Sequence, residues 1–536
     1  MKINHKRVFW ISLAVGWLFD LLFWGKALGI SFPLFVFAAI AAGVWAARKD
    51  GVQLHRMSWW LLVPIAFFAV MSAVRLEPFT GFLDRTMALF FMTLLANSFQ
   101  GGRWPFYRLR DHFLRFASLA GATLSRWTKL IAEGRSEDKN GSRQLKAVLR
   151  GLLLAVPVFF LFGGLLASAD AVFAEYFEDL LELLQLEDLM EYIRRGIVIL
   201  IVAMGVFGVF YQAMVSSKDE KLPGERIKLA RFLGFTETVM ALGTAILLFA
   251  AFVGIQFRYF FFGEANIAVN GFTYAEYARR GFFELVVVAV LSLALLFGLS
   301  TFAKRESGQR QRIFSGAGIV LVALVAVILV SAFLRLSLYE QAYGFTRLRT
   351  YAHVFMIWLG VLLAATAALE TLRRSDRFAL ALLLAATGFT ASLNILNVDA
   401  FITRANIEHA FAFEAEDTVA PGRFQSPLSI LDTSYLVSLS PDAVPMLARL
   451  SRQAGELDDE VRREMAGGAL ACHAHRWHDY SRNRPWQSFH FSRWQAGRIW
   501  SEYQEAGDSS SGAVLFDENG EAYVKIGGEE IPCGGW

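Results

Sequence analysis

The stretch FSGAGIVLVALVAVILVSAF, residues 314–333, decides the class of fold. It is twenty residues long and carries no charged side chain. Because a bilayer core about 30 Å thick needs roughly 20 apolar residues in helical form, the stretch predicts a membrane-spanning helix. The composition of the whole chain agrees, since 55% of its 536 residues are hydrophobic and only 19% are charged. This balance argues against a soluble enzyme and excludes a disordered chain, and two cysteines are too few for a disulfide scaffold.

Ten more apolar stretches lie on either side of it, so the sequence predicts an all-α polytopic membrane protein with about eleven transmembrane helices. The predicted spans cover approximately 8–24, 27–47, 58–74, 79–96, 152–167, 196–215, 232–257, 281–302, 314–333, 351–370 and 378–396. The fourth is the weakest, because Asp84 and Arg85 lie inside it. The first follows three basic residues, as a signal peptide would, but no small-residue cleavage site follows, which favours a retained anchor.

Lysine and arginine are unevenly distributed over the connecting segments. With the N-terminus in the cytoplasm, segments 1–7, 48–57, 99–150, 216–231, 303–312 and 371–377 hold 29 of them, and the outside loops before residue 397 hold about 10. The positive-inside rule therefore predicts a cytoplasmic N-terminus. Eleven spans then place the C-terminus on the outside, and one missed or false span would reverse that conclusion.

These patterns divide the chain into four predicted parts. They are a four-helix membrane segment (1–98), a basic cytoplasmic amphipathic loop (99–150), a seven-helix membrane region (151–397) and a C-terminal extramembrane domain (398–536). In the loop, apolar residues recur at helical spacing over 106–131, which fits either a helix at the cytoplasmic headgroups or one packed on the span ends. The acidic segment 171–192 is either a cation-facing or partner-facing surface or the solvated face of a lid helix.

The C-terminal part is acidic, with 12 Lys and Arg against 21 Asp and Glu from residue 398 onward. We predict a small, mostly helical domain that contains a short β-hairpin. Ser440 before Pro441 predicts a helix start over 441–454, and 456–480 also reads as helical. Asn519-Gly520 between the apolar runs 514–516 and 522–526 predicts the hairpin.

Both cysteines, Cys472 and Cys533, lie in this part. In an oxidising compartment they would form a disulfide, which is the favoured interpretation. The alternative is a metal site, because Cys472, His473, His475 and His478 cluster in the sequence CHAHRWH. Since the cluster lacks the paired ligand groups of structural zinc sites, we predict no metal there and no cofactor elsewhere.

Ionisable groups inside spans are costly to bury and are often functional. The sequence places these inside or at the ends of predicted spans: Asp20, Asp84, Arg85, Glu237, Glu284 and His353, with Asn394 as a neutral companion. The structural interpretation is that Arg85 pairs with Asp84, Asp20 or a group on a neighbouring helix.

The segment that enters the eighth span, 271–284, combines a helix start with a charged face. Thr273 and Glu276 have capping-box spacing, and Glu276, Arg280 and Glu284 follow at four-residue steps. Two tyrosines of this segment, Tyr274 and Tyr277, fit the aromatic belt at headgroup level. The segment is either a pinned helix start or a polar groove for a headgroup, a sugar phosphate or an ion, and Arg347 and Arg349 before the tenth span could meet it.

Five segments carry a family resemblance. In chain order they are FTYAEYARRGFFELV (272–286), YGFTRLRTYAH (343–353), LNVDAFITRANIEHA (396–410), LDTSYLVSLSPDAVPML (431–447) and RPWQSFHFSRWQA (484–496). From about residue 150 to the end, the chain resembles a family of bacterial polytopic inner-membrane proteins. That family is known by the domain of unknown function numbered four-one-seven-three, close to the four-one-five-three type.

The resemblance implies a multi-pass protein of the bacterial inner membrane whose C-terminal part is extramembrane. The orientation predicted above places that part in the periplasm. It carries over no catalytic role. It selects a candidate polar site that consists of Tyr274, Glu276, Tyr277, Arg280, Glu284, Arg347, Arg349, Asn397, Asp399, Arg404 and Asn406. In the last segment, His490 and Phe491 stand where the family implies a more polar stretch.

Three classes of function remain open. The first is a non-enzymatic module for envelope sensing, assembly or signalling, with membrane lipid and envelope proteins as partners. The second is a transporter or channel that uses intramembrane carboxylates, although the sequence shows no convincing internal repeat. The third is a transferase that acts on a lipid-linked substrate at the outer face. The sequence contains no GxxxxGK[ST], GxGxxG, HExxH or GxSxG motif, and topology explains the basic loops without nucleic acid.

Overall fold

The computed structural model describes residues 3–121, 123, 158–159, 162, 164–170, 172–176, 186–218, 232–261, 282–304, 308–417, 433–456, 460–481, 484–505, 514–518, 520–526 and 529–533. The membrane part contains α1 (His5–Phe23), α2 (Ser31–Lys49), α3 (Leu62–Met71), α4 (Pro78–Ser98), α5 (Leu186–Val215), α6 (Phe235–Phe261), α7 (Phe282–Phe302), α8 (Gly308–Tyr343), α9 (Arg347–Thr371) and α10 (Phe378–Leu396). A further helix covers 109–121.

Eight helices among the described residues are long and apolar enough to cross a membrane. They correspond to the second, fourth and sixth to eleventh predicted spans, so the weak fourth span is such a helix. The count of about eleven is not confirmed. The first predicted span is a helix, α1. Its charged residues Lys6, Arg7 and Asp20 keep it from being one of the eight. The third is divided between a 3₁₀ turn, Arg56–Leu61, and the ten-residue α3. The fifth is described only in part, at 158–159, 162 and 164–167, where it is helical.

The spans pack into two bundles that α10 joins. In one, Phe68 of α3 and Phe91 of α4 are buried together with residues of α2. In the other, Leu321 and Ile328 of α8 pack with residues of α6, α7 and α9. Because α10 contacts both α4 and α9, it fixes the two bundles relative to each other.

The C-terminal region contains α11 (Val398–Asp417), α12 (Thr433–Ser438), α13 (Val444–Glu456), α14 (Glu460–Ser481), α15 (Phe491–Glu505) and the strands β1 (Leu515–Phe516), β2 (Ala522–Ile526) and β3 (Glu529–Pro532). The strands form an antiparallel sheet in which Leu515 pairs with Tyr523 and Val524 with Ile531. The hairpin prediction is confirmed, and β3 was not predicted. Ser440 accepts a hydrogen bond from the Asp442 amide at the start of the predicted helix.

The C-terminal region lies against one end of the membrane bundle. The Ile30 amide, just before α2, donates to the Phe489 carbonyl at 2.7 Å. A Cβ at Gly29 would lie 2.2 Å from the same oxygen, so only glycine permits this approach. The start of α1 lies at the other end of these helices, beside the end of α2, where Arg7 pairs with Asp50. The start of α1 and the C-terminal region are therefore at opposite ends of α1 and α2.

Candidate functional site

Most of the predicted charged segment before the eighth span lies outside the described residues. This applies to Tyr274, Glu276, Tyr277 and Arg280. Glu284 is described, in the first turn of α7, and its side chain is exposed. The structure therefore brings together a different part of the predicted site, centred on Arg347 and Asp399.

Arg347 and Asp399 form a two-point ion pair between α9 and α11. The guanidinium Nε and Nη2 donate to the two carboxylate oxygens at 2.8 and 2.7 Å. The Asp399 side chain is fully buried. The Ser440 amide also donates to the Asp399 carboxylate at 2.7 Å, and the Arg347 amide donates to the Tyr435 hydroxyl at 2.8 Å. This parallel geometry is the strongest form of arginine–carboxylate contact.

Glu77 connects the start of α4 to α9. Its carboxylate accepts hydrogen bonds from the Phe79 and Thr80 amides and from the Thr80 hydroxyl, at 3.0, 2.7 and 2.6 Å. The Tyr351 hydroxyl donates to the same carboxylate at 2.5 Å. Glu77 therefore caps α4, where a negative charge also interacts favourably with the helix dipole.

Asp442 connects the C-terminal region to the turn between α3 and α4. One of its carboxylate oxygens accepts from the Leu76 and Glu77 amides at 2.7 and 2.9 Å and from the Ser440 hydroxyl at 3.2 Å. Burial raises the pKa of Asp442 above its ordinary value, and the Ser492 side chain acts against that increase. Burial likewise raises the pKa of Tyr435.

We call Glu77, Arg347, Tyr351, Asp399 and Asp442 the junction cluster. It ties α4, α9 and α11 to the 3₁₀ turn Pro441–Ala443. Buried charges of this kind are stable only when hydrogen-bonding partners replace water, and removal of one partner leaves an uncompensated charge. Because the oxygens of Glu77 and Asp399 are already used by protein donors, the cluster is suited to fixing positions rather than to attacking a substrate.

Four other described residues of the predicted site lie on α9, on α11 and in the turn between α10 and α11. Asn406 accepts from the Phe345 amide at 2.5 Å and donates to its carbonyl at 2.9 Å, which holds the turn before α9. Arg349 lies 4.1 Å from the centre of the Tyr339 ring. Asn397 adopts a left-handed conformation, with φ 53°, and so redirects the chain between α10 and α11. Arg404 makes an exposed pair with Glu408 on α11.

The intramembrane acids find partners other than Arg85. Asp84 accepts from the Asn394 side-chain amide at 2.7 Å, and Arg85 donates to the Gly81 carbonyl at 2.7 Å. Asp20 pairs with Arg195 of α5 at 2.5 Å. Of the three alternatives considered for Arg85, Asp20 is therefore paired with a different arginine, on α5. Glu237 caps α6 through the Gly234 amide.

His353 stands in a hydrogen-bonded chain between α8 and α9. Its Nδ1 lies 2.9 Å from the Glu340 carboxylate, and its Nε2 lies 3.2 Å from the Ser337 hydroxyl. Glu340 is buried. The order of groups matches a proton relay, in which a histidine between a carboxylate and a hydroxyl passes a proton either way.

The amphipathic helix at 109–121 is both packed and exposed. Arg115 is buried and donates to the Asn97 carbonyl at 2.8 Å, at the end of α4. Phe113 and Phe116, on the opposite side, are exposed. This part of the predicted loop therefore packs on a span end while it presents aromatic rings outward, and 124–150 lie outside the described residues.

Cys472 and Cys533 are joined by a disulfide that ties β3 to α14. Cys472 is consequently not available as a thiolate ligand for the CHAHRWH cluster. Among the described residues, no group of three or more His, Cys, Asp or Glu side chains is placed to hold a metal ion. His473 is buried, and burial lowers its pKa to about 4.

His490 is a buried histidine in the segment that lies against the ends of the spans. Burial, reinforced by Arg493, lowers its pKa from 6.5 to about 4. The neutral ring therefore stabilises the folded state fully above pH 6.5, and this contribution is lost as the pH falls toward 4. We expect the free energy of unfolding of the unaltered chain to fall between pH 7 and pH 4.5. In His490→Gln this fall should be smaller by roughly 2 to 3 kcal/mol. Urea unfolding of the protein in detergent at both pH values measures this difference.

The matched control is His55→Gln, at an exposed histidine on the other end of the bundle. It shows how much the replacement of an imidazole by an amide changes the stability by itself, and the effect of His490→Gln is measured against it. An unchanged pH dependence in His490→Gln would contradict the assignment of a buried neutral ring.

The sequence did not single out Glu77, Tyr351, Asp442 or Glu340. A local signal was present for Glu77, because a carboxylate immediately before Pro78 is suited to cap the helix that starts there. Tyr351 and Asp442 lie inside the segments that carry the family resemblance. Glu340 had no such signal, because its role depends on where α9 packs.

Comparison with known proteins places the chain in a family but assigns it no activity. No curated protein and no solved structure gives a significant match. Residues 62–450 match the family described as "Domain of unknown function (DUF4153)". The resemblance to the family numbered four-one-seven-three is not confirmed. Because the match covers more than half of the chain and includes all five residues of the junction cluster, the chain belongs to the DUF4153 family.

Proposed function

We propose that the chain is a non-enzymatic module of the bacterial inner membrane for envelope sensing, assembly or signalling. In this proposal the C-terminal region contacts an envelope protein, and the junction cluster couples that contact to the spans. The observation that supports it is the two-point pair between Arg347 at the start of span α9 and Asp399 in α11. A change at the C-terminal region would act on α9 and α4 through this pair and Glu77.

We further propose that the N-terminus is cytoplasmic and the C-terminal region periplasmic. The uneven distribution of lysine and arginine supports this orientation. The disulfide between Cys472 and Cys533 supports it as well, because such bonds persist in oxidising compartments. The four-part division of the chain predicted from sequence also remains a proposal.

Site-specific photo-crosslinking in cells tests the envelope contact. A photoreactive phenylalanine replaces Phe516, which is exposed on β1, or Val524, which is buried on β2 and serves as the control. We expect a discrete adduct with an envelope protein from Phe516 and none from Val524. We also expect Asp399→Asn to change the adduct yield at Phe516, because it breaks the junction cluster. No adduct from Phe516 or from the exposed Glu529 position would overturn the proposal.

The second candidate function is proton-coupled transport. The chain Glu340–His353–Ser337 favours it, and so does a hydrogen bond of 2.7 Å between Ser331 and Gln256 in the same bundle. Measurement of proton flux into proteoliposomes under a pH gradient distinguishes the two functions. A proton flux that disappears in His353→Phe would establish transport. A flux no higher than that of empty liposomes would exclude transport and favour the coupling module. The transferase remains a prediction, because Tyr274, Glu276, Tyr277 and Arg280 lie outside the described residues.

A further inference from the structure

The segment 486–494 has an inverted burial pattern. Its aromatic side chains are exposed, at 60, 42, 40 and 46% for Trp486, Phe489, Phe491 and Trp494. The polar side chains between them are buried: Gln487, Ser488, His490 and Ser492. A segment that faces water has the opposite pattern, because large aromatic surface is unfavourable there. The pattern fits a surface whose outer neighbour is apolar.

Backbone hydrogen bonds fix this segment at the ends of the spans. The Phe489 carbonyl accepts from the Ile30 amide at 2.7 Å, and the Phe491 amide donates to the Ala73 carbonyl at 2.9 Å. Ile30 directly precedes α2, and Ala73 follows α3. The exposed aromatic rings are therefore held beside the first turn of a span.

The length of α2 sets the depth of that turn. A helix of 19 residues, Ser31–Lys49, rises about 28 Å. This nearly equals the hydrocarbon thickness of about 30 Å, so the first residue of α2 must lie at the boundary between acyl chains and headgroups. Phe489 is hydrogen-bonded to Ile30, the residue immediately before α2, and therefore lies at the same depth in the membrane. Tryptophan and other aromatic rings are favoured at this boundary.

Other exposed apolar side chains lie at the same end of the spans. Leu28 in the connection between α1 and α2, and Phe79 and Phe82 in the first turns of α4, are exposed at the same end. We propose that Trp486, Phe489, Phe491 and Trp494 form an aromatic anchor that inserts into the leaflet next to the C-terminal region. The anchor binds the lipid surface itself and holds the C-terminal region against the membrane, in addition to the junction cluster.

Spin labelling tests the anchor directly. The chain has two cysteines, and both are in the disulfide. A single introduced cysteine can therefore be labelled uniquely with a nitroxide in Trp494→Cys, Trp486→Cys and the control Phe516→Cys, whose side chain is 60% exposed on β1. After reconstitution into liposomes of phosphatidylethanolamine and phosphatidylglycerol, collision rates with oxygen, which enters lipid, and with a nickel chelate, which stays in water, are measured.

We expect the ratio of oxygen to nickel accessibility at positions 494 and 486 to exceed the ratio at position 516 severalfold. Nickel-dominated accessibility at 494 and 486 would show a water-facing surface and overturn the proposal. Low accessibility to both reagents would show that a protein surface covers the rings, which also overturns it. An unshifted circular dichroism spectrum and a retained disulfide on a non-reducing gel confirm that each variant is folded.

Discussion

Replacing Arg347 with methionine is expected to lower the free energy of unfolding by about 3 to 5 kcal/mol. The methionine keeps much of the side chain's apolar volume but leaves the fully buried Asp399 carboxylate without its ion-pair partner. Only the Ser440 amide, among the hydrogen bonds described above, would still donate to that carboxylate. Urea unfolding of the purified protein in detergent, followed by tryptophan fluorescence and by protease susceptibility of the C-terminal region, measures the loss.

The matched control is Arg404→Met on the same helix as Asp399. Arg404 pairs with Glu408, and both side chains are more than half exposed. Exposed pairs of this kind contribute about 0.3 to 0.5 kcal/mol, so this variant should be nearly neutral. The double variant Arg347→Met/Asp399→Leu should recover part of the loss, because it leaves no unpaired charge. A double variant less stable than Arg347→Met would contradict the explanation.

Removing the disulfide is expected to have a comparable effect. The bond joins cysteines that are 61 residues apart. A crosslink of a loop this long stabilises the folded state by about 4 kcal/mol through its constraint on the unfolded chain. Cys472→Ala/Cys533→Ala should therefore lower the urea midpoint of the C-terminal region, and dithiothreitol should lower that of the unaltered chain by a similar amount.

The single variants provide the control. Since either substitution breaks the bond, Cys472→Ala and Cys533→Ala should each cost nearly as much as the double variant. If the two single effects instead add up to the double effect, the cysteines act as independent buried side chains. That result would contradict a stabilising crosslink.

The sequence predicted local structure well where local chemistry decides it. Asn519-Gly520 and the apolar runs around it predicted the β1–β2 hairpin, because the turn requires residues that tolerate positive φ. The third strand escaped prediction, since β3 depends on pairing with β2 rather than on its own four residues. In the membrane part, the fourth predicted span is weak by sequence, yet it is a long apolar helix in the structure. Asp84 is tolerated inside α4 because Asn394 of α10 donates a hydrogen bond to it.

In the candidate site, too, the sequence indicated single residues but not the contacts between them. Sequence segments selected Arg347 and Asp399 separately, but nothing in their spacing of 52 residues indicated that they form one ion pair. Glu77 lies 274 residues from Tyr351 and 365 residues from Asp442 along the chain, although it contacts both. Such contacts depend on helix packing, which is set by many side chains together and not by any one local pattern.

By itself, the sequence determined that this is a multi-pass helical membrane protein with an acidic C-terminal region, because burial of twenty-residue apolar stretches requires helices in a bilayer. Only the tertiary structure decided which polar groups meet. It paired Asp20 with Arg195, Arg347 with Asp399 and Glu77 with Tyr351. The physical reason is that a buried charge is satisfied by whichever partner the packing brings within hydrogen-bonding distance, however far away that partner lies in the chain.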